Sequence, residues 1–165
     1  MMSKKFYSLA SPDIRQTDID NVVEVLQSGM LVQGKNVASF EADVQKYLGV
    51  DHAICVSNGT ATMHLALVCL GIGPGDEVIV PAFSYVATAN VVELGGAKPV
   101  FVDIEIDTVN INISQISEAI TDKTKAIIPV HEFGLAANSI DSVHLLESKD
   151  VHIIEDAACA LGAKE

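Results

Sequence analysis

The sequence is poor in positive charge, in cysteine and in long apolar runs, and each shortage removes a class of function. Ten Lys and Arg stand against 22 Asp and Glu, a formal net charge of −12. The acidic residues are scattered and no basic stripe interrupts them, so nucleic acid and anionic membrane are poor partners. No apolar stretch approaches the roughly 18–20 residues that a membrane span needs. The opening Met1-Met2-Ser3-Lys4-Lys5-Phe6-Tyr7-Ser8 has lysines but no apolar segment behind them, which predicts that it is not a secretory signal. The three cysteines, Cys55, Cys69 and Cys159, are widely spaced among apolar neighbours. They predict reduced thiols in a cytoplasmic protein and lack the spacing of metal ligands.

Several chemical signatures are missing as well. No HExxH, CxxC, GxSxG or GxxxxGK[ST] occurs, which argues against zinc proteases, redox dithiols, α/β-hydrolases and P-loop enzymes. GxGxxG is absent too; Gly71-Ile72-Gly73 has its opening but follows a helical pattern rather than a strand.

What is present is a core. Hydrophobic residues make up 49% of 165 and the mean hydropathy is +0.35, enough for one globular domain. Residues 13–28 read as a helix with Ile14, Ile19, Val22, Val23 and Leu26 on one face and Gly29 as its stop. Residues 35–48 read as a second, with Val37, Phe40, Val44 and Leu48 at helical spacing and Gly49 ending it. Strands and helices then alternate. Strands are expected at 52–56, 77–81, 99–103, 125–130 and 151–156, and helices at 60–70, 86–94, from Ser114 past Ile120, and at 139–148. Strands apolar on both faces between helices predict an α/β fold, a mainly parallel sheet covered by helices.

Ligands of such sheets gather at the carboxyl ends of the strands. Ser57-Asn58-Gly59, Phe83-Ser84-Tyr85, His131 and Asp156 all fall there. Each has two readings. A helix from Thr60 would aim free N–H groups at an anion, or Ser57 or Asn58 simply caps it. Asp156 holds a cationic ring nitrogen or caps the segment after it. Tyr85 stacks on a planar ligand or packs. His131 is a base or a locally satisfied side chain, and His64 reads as structural. Cys159, one turn past Asp156, reaches the same ligand or is inert filler.

Four segments in order narrow these choices: Ser57-Asn58-Gly59-Thr60-Ala61, Gly73-Pro74-Gly75-Asp76-Glu77-Val78-Ile79-Val80-Pro81, Phe83-Ser84-Tyr85-Val86-Ala87-Thr88-Ala89-Asn90 and Glu155-Asp156-Ala157-Ala158. Together they resemble the DegT/DnrJ/EryC1/StrS sugar aminotransferases, and Leu31-Val32-Gln33-Gly34 is similar to that family's N-terminal loop. The resemblance implies a three-layer α/β/α fold like the large domain of fold type I transferases that use pyridoxal 5'-phosphate. It implies residues 1–50 as a helical extension and 51–165 as the first part of that domain. Gly59 and Thr60 would then hold the cofactor phosphate, Tyr85 would stack on the ring and Asp156 would pair with the ring nitrogen.

Cys159 sits where many members carry Gln or His against the ring's 3′ oxygen, and Glu132 in His131-Glu132-Phe133-Gly134 stands where Leu is commoner, a change expected to be mild. The implied substrates are a nucleotide-linked keto-deoxysugar and an amino-acid donor such as glutamate, and the implied assembly is a homodimer. The family's Schiff-base lysine falls beyond Glu165, so the chain by itself is expected to be an inactive, poorly soluble fragment. A sugar dehydratase of the same family and a non-catalytic remnant are the alternatives.

Overall fold

The computed structural model describes residues 11–138 and 151–164. The helix expected at 139–148 lies outside the described residues. Contacts divide the chain into two compact units, Met1–Ile54 and Cys55–Glu165.

The first unit carries α1 (Gln16–Ser28) and α2 (Lys35–Leu48). Each stops at the predicted glycine, with Gly29 at φ 70 and Gly49 at φ 71, the left-handed conformation that closes a helix. Neither helix has a buried residue. The apolar stripes that define them, Ile19, Val22 and Leu26 on one and Phe40 and Leu48 on the other, are exposed.

The second unit is the α/β body. Its elements are α3 (Gly59–Cys69), β1 (Glu77–Pro81), α4 (Ala87–Leu94), β2 (Lys98–Val102), α5 (Ile113–Ala119), β3 (Thr124–Ile127) and β4 (His152–Ile153). The strands form one sheet in the order β2-β1-β3-β4, every pair parallel. β1 is central and buried at all five positions, as its unbroken apolar run requires. Successive side chains point to opposite faces. Val78 and Val80 therefore pack with Met63 and Leu67 of α3 and Val91 and Val92 of α4. Ile79 points the other way, to Ile127, Ile111 and Ile116 of α5. Helices thus cover both faces, and the expected three layers are there.

Four details differ from the sequence reading. Residues 52–56 form no strand, because among the described residues the parallel ladders join only β1 to β2 and β3, and β3 to β4; Ile54 stays 80% exposed. The helix expected at 60–70 starts one residue earlier and ends at Cys69, leaving Leu70 exposed as its cap. α5 is capped by Asn112, whose side chain accepts from Ser114 N–H at 3.0 Å, and not by Ser114. β3 and β4 are shorter than expected, with Pro129 interrupting the first. Their pairing resumes beyond it as a single parallel bridge between Val130 and Asp156.

Candidate active site

Because all four strands are parallel, the segments that leave their carboxyl ends emerge along one edge. α3 joins that edge from the other direction. Its carboxyl end turns through Leu70–Asp76 into the amino end of β1, with Ile72 N–H on Leu67 C=O at 3.0 Å and Gly73 N–H on Asp76 Oδ2 at 3.0 Å. The amino terminus of α3 consequently faces the carboxyl edge.

At that terminus Asn58 is the cap, its Oδ1 accepting Ala61 N–H at 2.9 Å. Thr62 N–H is also taken, by Asn58 C=O at 3.2 Å. Among the described residues the N–H groups of Gly59 and Thr60 have no acceptor. A Cβ placed on Gly59 would meet nothing within 4 Å, so this corner is open space beside two free donors at the positive end of a helix dipole. The cap that the sequence set against anion binding takes the Ala61 N–H and leaves those of Gly59 and Thr60 unused among the described residues.

The loop after β1 presents aromatics. Ala82 N–H bonds Val102 C=O at 2.8 Å, Ser84 Oγ lies 2.9 Å from Thr88 Oγ1, and Thr88 N–H bonds Tyr85 C=O at 3.1 Å. The backbone is fixed while Tyr85 itself is 77% exposed, a ring free to stack. Phe83 of the same loop meets Phe133 with ring centroids 6.5 Å apart, tying the segments after β1 and β3 together.

Asp156 is locked between those strands. Its N–H donates to Pro129 C=O at 2.9 Å and its C=O accepts His131 N–H at 3.0 Å. The side chain is half-buried, and its Oδ1 accepts Ala158 N–H at 3.1 Å. Oδ2 has no hydrogen-bond partner among the described residues. The capping reading is thus met by one oxygen, and the other has no partner among the described residues. Cys159 lies in that turn as an exposed free thiol.

His131 is the locally satisfied side chain, its Nδ1 accepting Ala137 N–H at 2.9 Å and its Nε2 3.7 Å from Glu155 Oε1. His64 stays on α3 as expected. Sequence reasoning missed Glu132 and Asn110. Asn110, 3% exposed, accepts Glu132 N–H at 3.0 Å and donates to the carbonyls of Leu135 and Ala136 at 3.1 and 3.2 Å, pinning the segment after His131. Glu132 Oε1 is buried without a hydrogen-bond partner among the described residues. Burial, and then the charge of Asp156, push this carboxyl above the usual carboxylate range, against the opposing pull of the Ser84 hydroxyl. Its one sequence signal was an acid where the resemblance implies an apolar residue.

Among the described residues no cluster of His, Cys, Asp and Glu is arranged to hold a metal, and no helix is long and apolar enough to cross a membrane.

The chain is similar to known proteins over most of its length. UDP-4-amino-4-deoxy-L-arabinose--oxoglutarate aminotransferase of Shewanella sediminis is 44% identical over 164 residues, covering 99% of this chain and 42% of that protein. A structure titled as a sugar aminotransferase of Streptococcus pneumoniae, in its PMP form, superposes with a TM-score of 0.88 at 34% identity, covering 95% of this chain and 43% of that one. GDP-4-keto-6-deoxy-D-mannose-3-dehydratase of E. coli, bound to hydrated PLP, gives a TM-score of 0.82 at 34% identity, covering 92% of this chain and 40% of that one. The chain therefore spans about two fifths of the length of these relatives. The sequence profile of one family matches residues 12–165, and the chain belongs to the DegT/DnrJ/EryC1/StrS aminotransferase family.

Proposed function

We propose that the chain is the front part of the large domain of a pyridoxal-phosphate-dependent sugar aminotransferase. The complete protein would move an amino group from glutamate to a keto group on a nucleotide-linked deoxysugar. One observation carries the reading. A single sheet edge holds two unclaimed backbone donors beside open space, an exposed ring and a carboxylate with one oxygen unclaimed. Those features fit the phosphate, the face and the nitrogen of pyridoxal phosphate, respectively.

The division of labour follows from the residues. Gly59 and Thr60 N–H, with the Thr60 hydroxyl, hold the phosphate at the positive end of α3. Tyr85 covers one face of the ring. Asp156 Oδ1, fixed by Ala158 N–H, sets the carboxylate so that Oδ2 keeps the ring nitrogen protonated. When bound, the cofactor supplies the electron sink that amino transfer needs. Cys159 is the residue placed for the 3′ oxygen, a weaker hydrogen-bond partner than an amide or imidazole. The lysine that attaches the cofactor and shuttles the proton belongs to the family's sequence past Glu165, so residues 1–165 alone do not turn over. The working protein is a cytoplasmic homodimer in this reading.

The likeness to the dehydratase sustains a second reading, loss of a sugar hydroxyl in place of amino transfer. Both are tested on the complete gene product. Pyridoxal phosphate is added, borohydride fixes it, and the modified residue is mapped before glutamate and a keto-sugar nucleotide are supplied. A lysine past residue 165 and an aminated sugar support the aminotransferase. A deoxygenated sugar without a modified lysine supports the dehydratase. Absence of cofactor binding contradicts both.

A further inference from the structure

Glu132 lies at the start of the turn Glu132–Gly134, where β3's chain leaves the carboxyl edge. Its backbone is held by buried Asn110, and the N–H of the preceding residue is bonded to the carbonyl of Asp156 at 3.0 Å. The carboxyl thus hangs between the strand end that carries Asp156 and the loop that carries Ser84 and Tyr85. The Ser84 hydroxyl acts on this carboxyl, but its Oε1 is shut off from solvent with no hydrogen-bond partner among the described residues. An acceptor buried without a donor is unfavourable, and a loop can avoid it with an apolar residue of similar size. Keeping the acid makes sense where something else brings the donor.

We propose that Glu132 is a second carboxyl of the cofactor site, its buried Oε1 accepting a hydrogen bond from the bound pyridine cofactor and its charge joining that of Asp156 against the cationic ring. The inference rests on the cofactor reading above.

The groups acting on Glu132 come from each neighbouring element. Asp156 is on the strand beside it and Ser84 on the loop after β1. His131 precedes it, with Nδ1 occupied and Nε2 turned to Glu155. Without the cofactor, burial and Asp156 shift Glu132 toward holding its proton to higher pH. A cationic ring reverses the balance, and the Glu132 proton passes to solvent as the ring enters. Binding is then coupled to proton release at this residue.

The test measures protons, not turnover. Pyridoxamine phosphate, which binds without a lysine linkage, is titrated calorimetrically into the complete gene product in buffers of different ionisation enthalpy, at several values between about pH 4 and 7. Wild type, Glu132→Gln and Asp156→Asn are compared. The proposal expects wild type to release more protons than Glu132→Gln, and Glu132→Gln to bind three- to tenfold more weakly. Equal proton counts and affinities in those two, with binding still lost in Asp156→Asn, overturn the role of Glu132 and leave the cofactor reading standing. Binding absent from wild type, or undiminished in Asp156→Asn, overturns that reading and this proposal with it.

Discussion

At the amino end of the sheet Glu77 has both oxygens matched, Oε1 with Lys98 Nζ at 3.0 Å and Oε2 with the Thr121 hydroxyl at 2.7 Å. At the carboxyl end Glu132 keeps one oxygen buried and unmatched. The bonds from Thr121 and Lys98 hold the Glu77 carboxyl below its ordinary range, whereas burial and Asp156 hold Glu132 above it. One group stitches β1 to β2 and to the turn before β3. The other leaves an oxygen without a partner among the described residues, at the edge proposed for the cofactor. The contrast separates a carboxylate that serves the fold from one that serves the site, in a domain where both are acids at strand ends.

The comparison can be broken most forcefully at the site itself. Asp156→Asn in the complete protein should lower amino transfer by about a hundredfold or more, the scale seen when a fixed electrostatic partner is removed. Its circular dichroism should be unchanged, because an amide oxygen can still accept Ala158 N–H; a mere structural cap would show the reverse pattern.

At the other end, Glu77→Ala should destabilise the domain by about 2 kcal/mol, read as a lower urea midpoint, because it removes a charged hydrogen-bond pair from a nearly buried position. The pH dependence has opposite signs at the two ends. Glu77, depressed in the folded state, contributes stability that is present above its unfolded value of 4.5 and lost as pH falls through its folded value. Glu132, raised in the folded state, binds its proton more tightly folded than unfolded, so stability declines as pH climbs from 4.5 through its folded value. Glu132→Gln should therefore leave the domain as stable or about 0.5–1 kcal/mol more stable at pH 7, the usual sign for a residue kept for function. Urea melts of both variants at acid and neutral pH would expose a mistaken sign.

The smallest expected effect is at the turn. Gly134 has φ +91, and a Cβ there would lie 3.4 Å from the Cys159 carbonyl. Gly134→Ala should cost about 1 kcal/mol in the same melts. It should also weaken pyridoxamine phosphate binding slightly, since it pushes on the turn that carries Cys159.

Local chemistry explains what was legible beforehand. Gly29 and Gly49 announce helix ends because a left-handed residue is a local requirement, and Glu77–Pro81 announces a central strand because its run is apolar on both faces. The segment at 52–56 has the same β-branched character yet joins none of the ladders among the described residues, and pairing cannot be read from one strand's composition. Asp156 and Gly59 were visible as residues at strand and helix ends. That Asp156 caps a turn with one oxygen only, and that the Asn58 cap leaves the Gly59 N–H unused among the described residues, was not, because it depends on which of two oxygens or four N–H groups the turn consumes. Glu132 was hidden for a related reason. Its backbone is pinned by Asn110, 22 residues earlier, and the charge acting on its carboxyl comes from Asp156, 24 residues later.

Asp156 is proposed to hold a protonated pyridine nitrogen. The most direct test is the ¹⁵N resonance of ring-labelled pyridoxamine phosphate bound to the complete protein, in wild type and Asp156→Asn. A protonated shift that persists well above the free ligand's ring pKa in wild type, and is lost in the variant, is the predicted result. A ring nitrogen that is unprotonated in the wild type, or equally protonated in both, would contradict it.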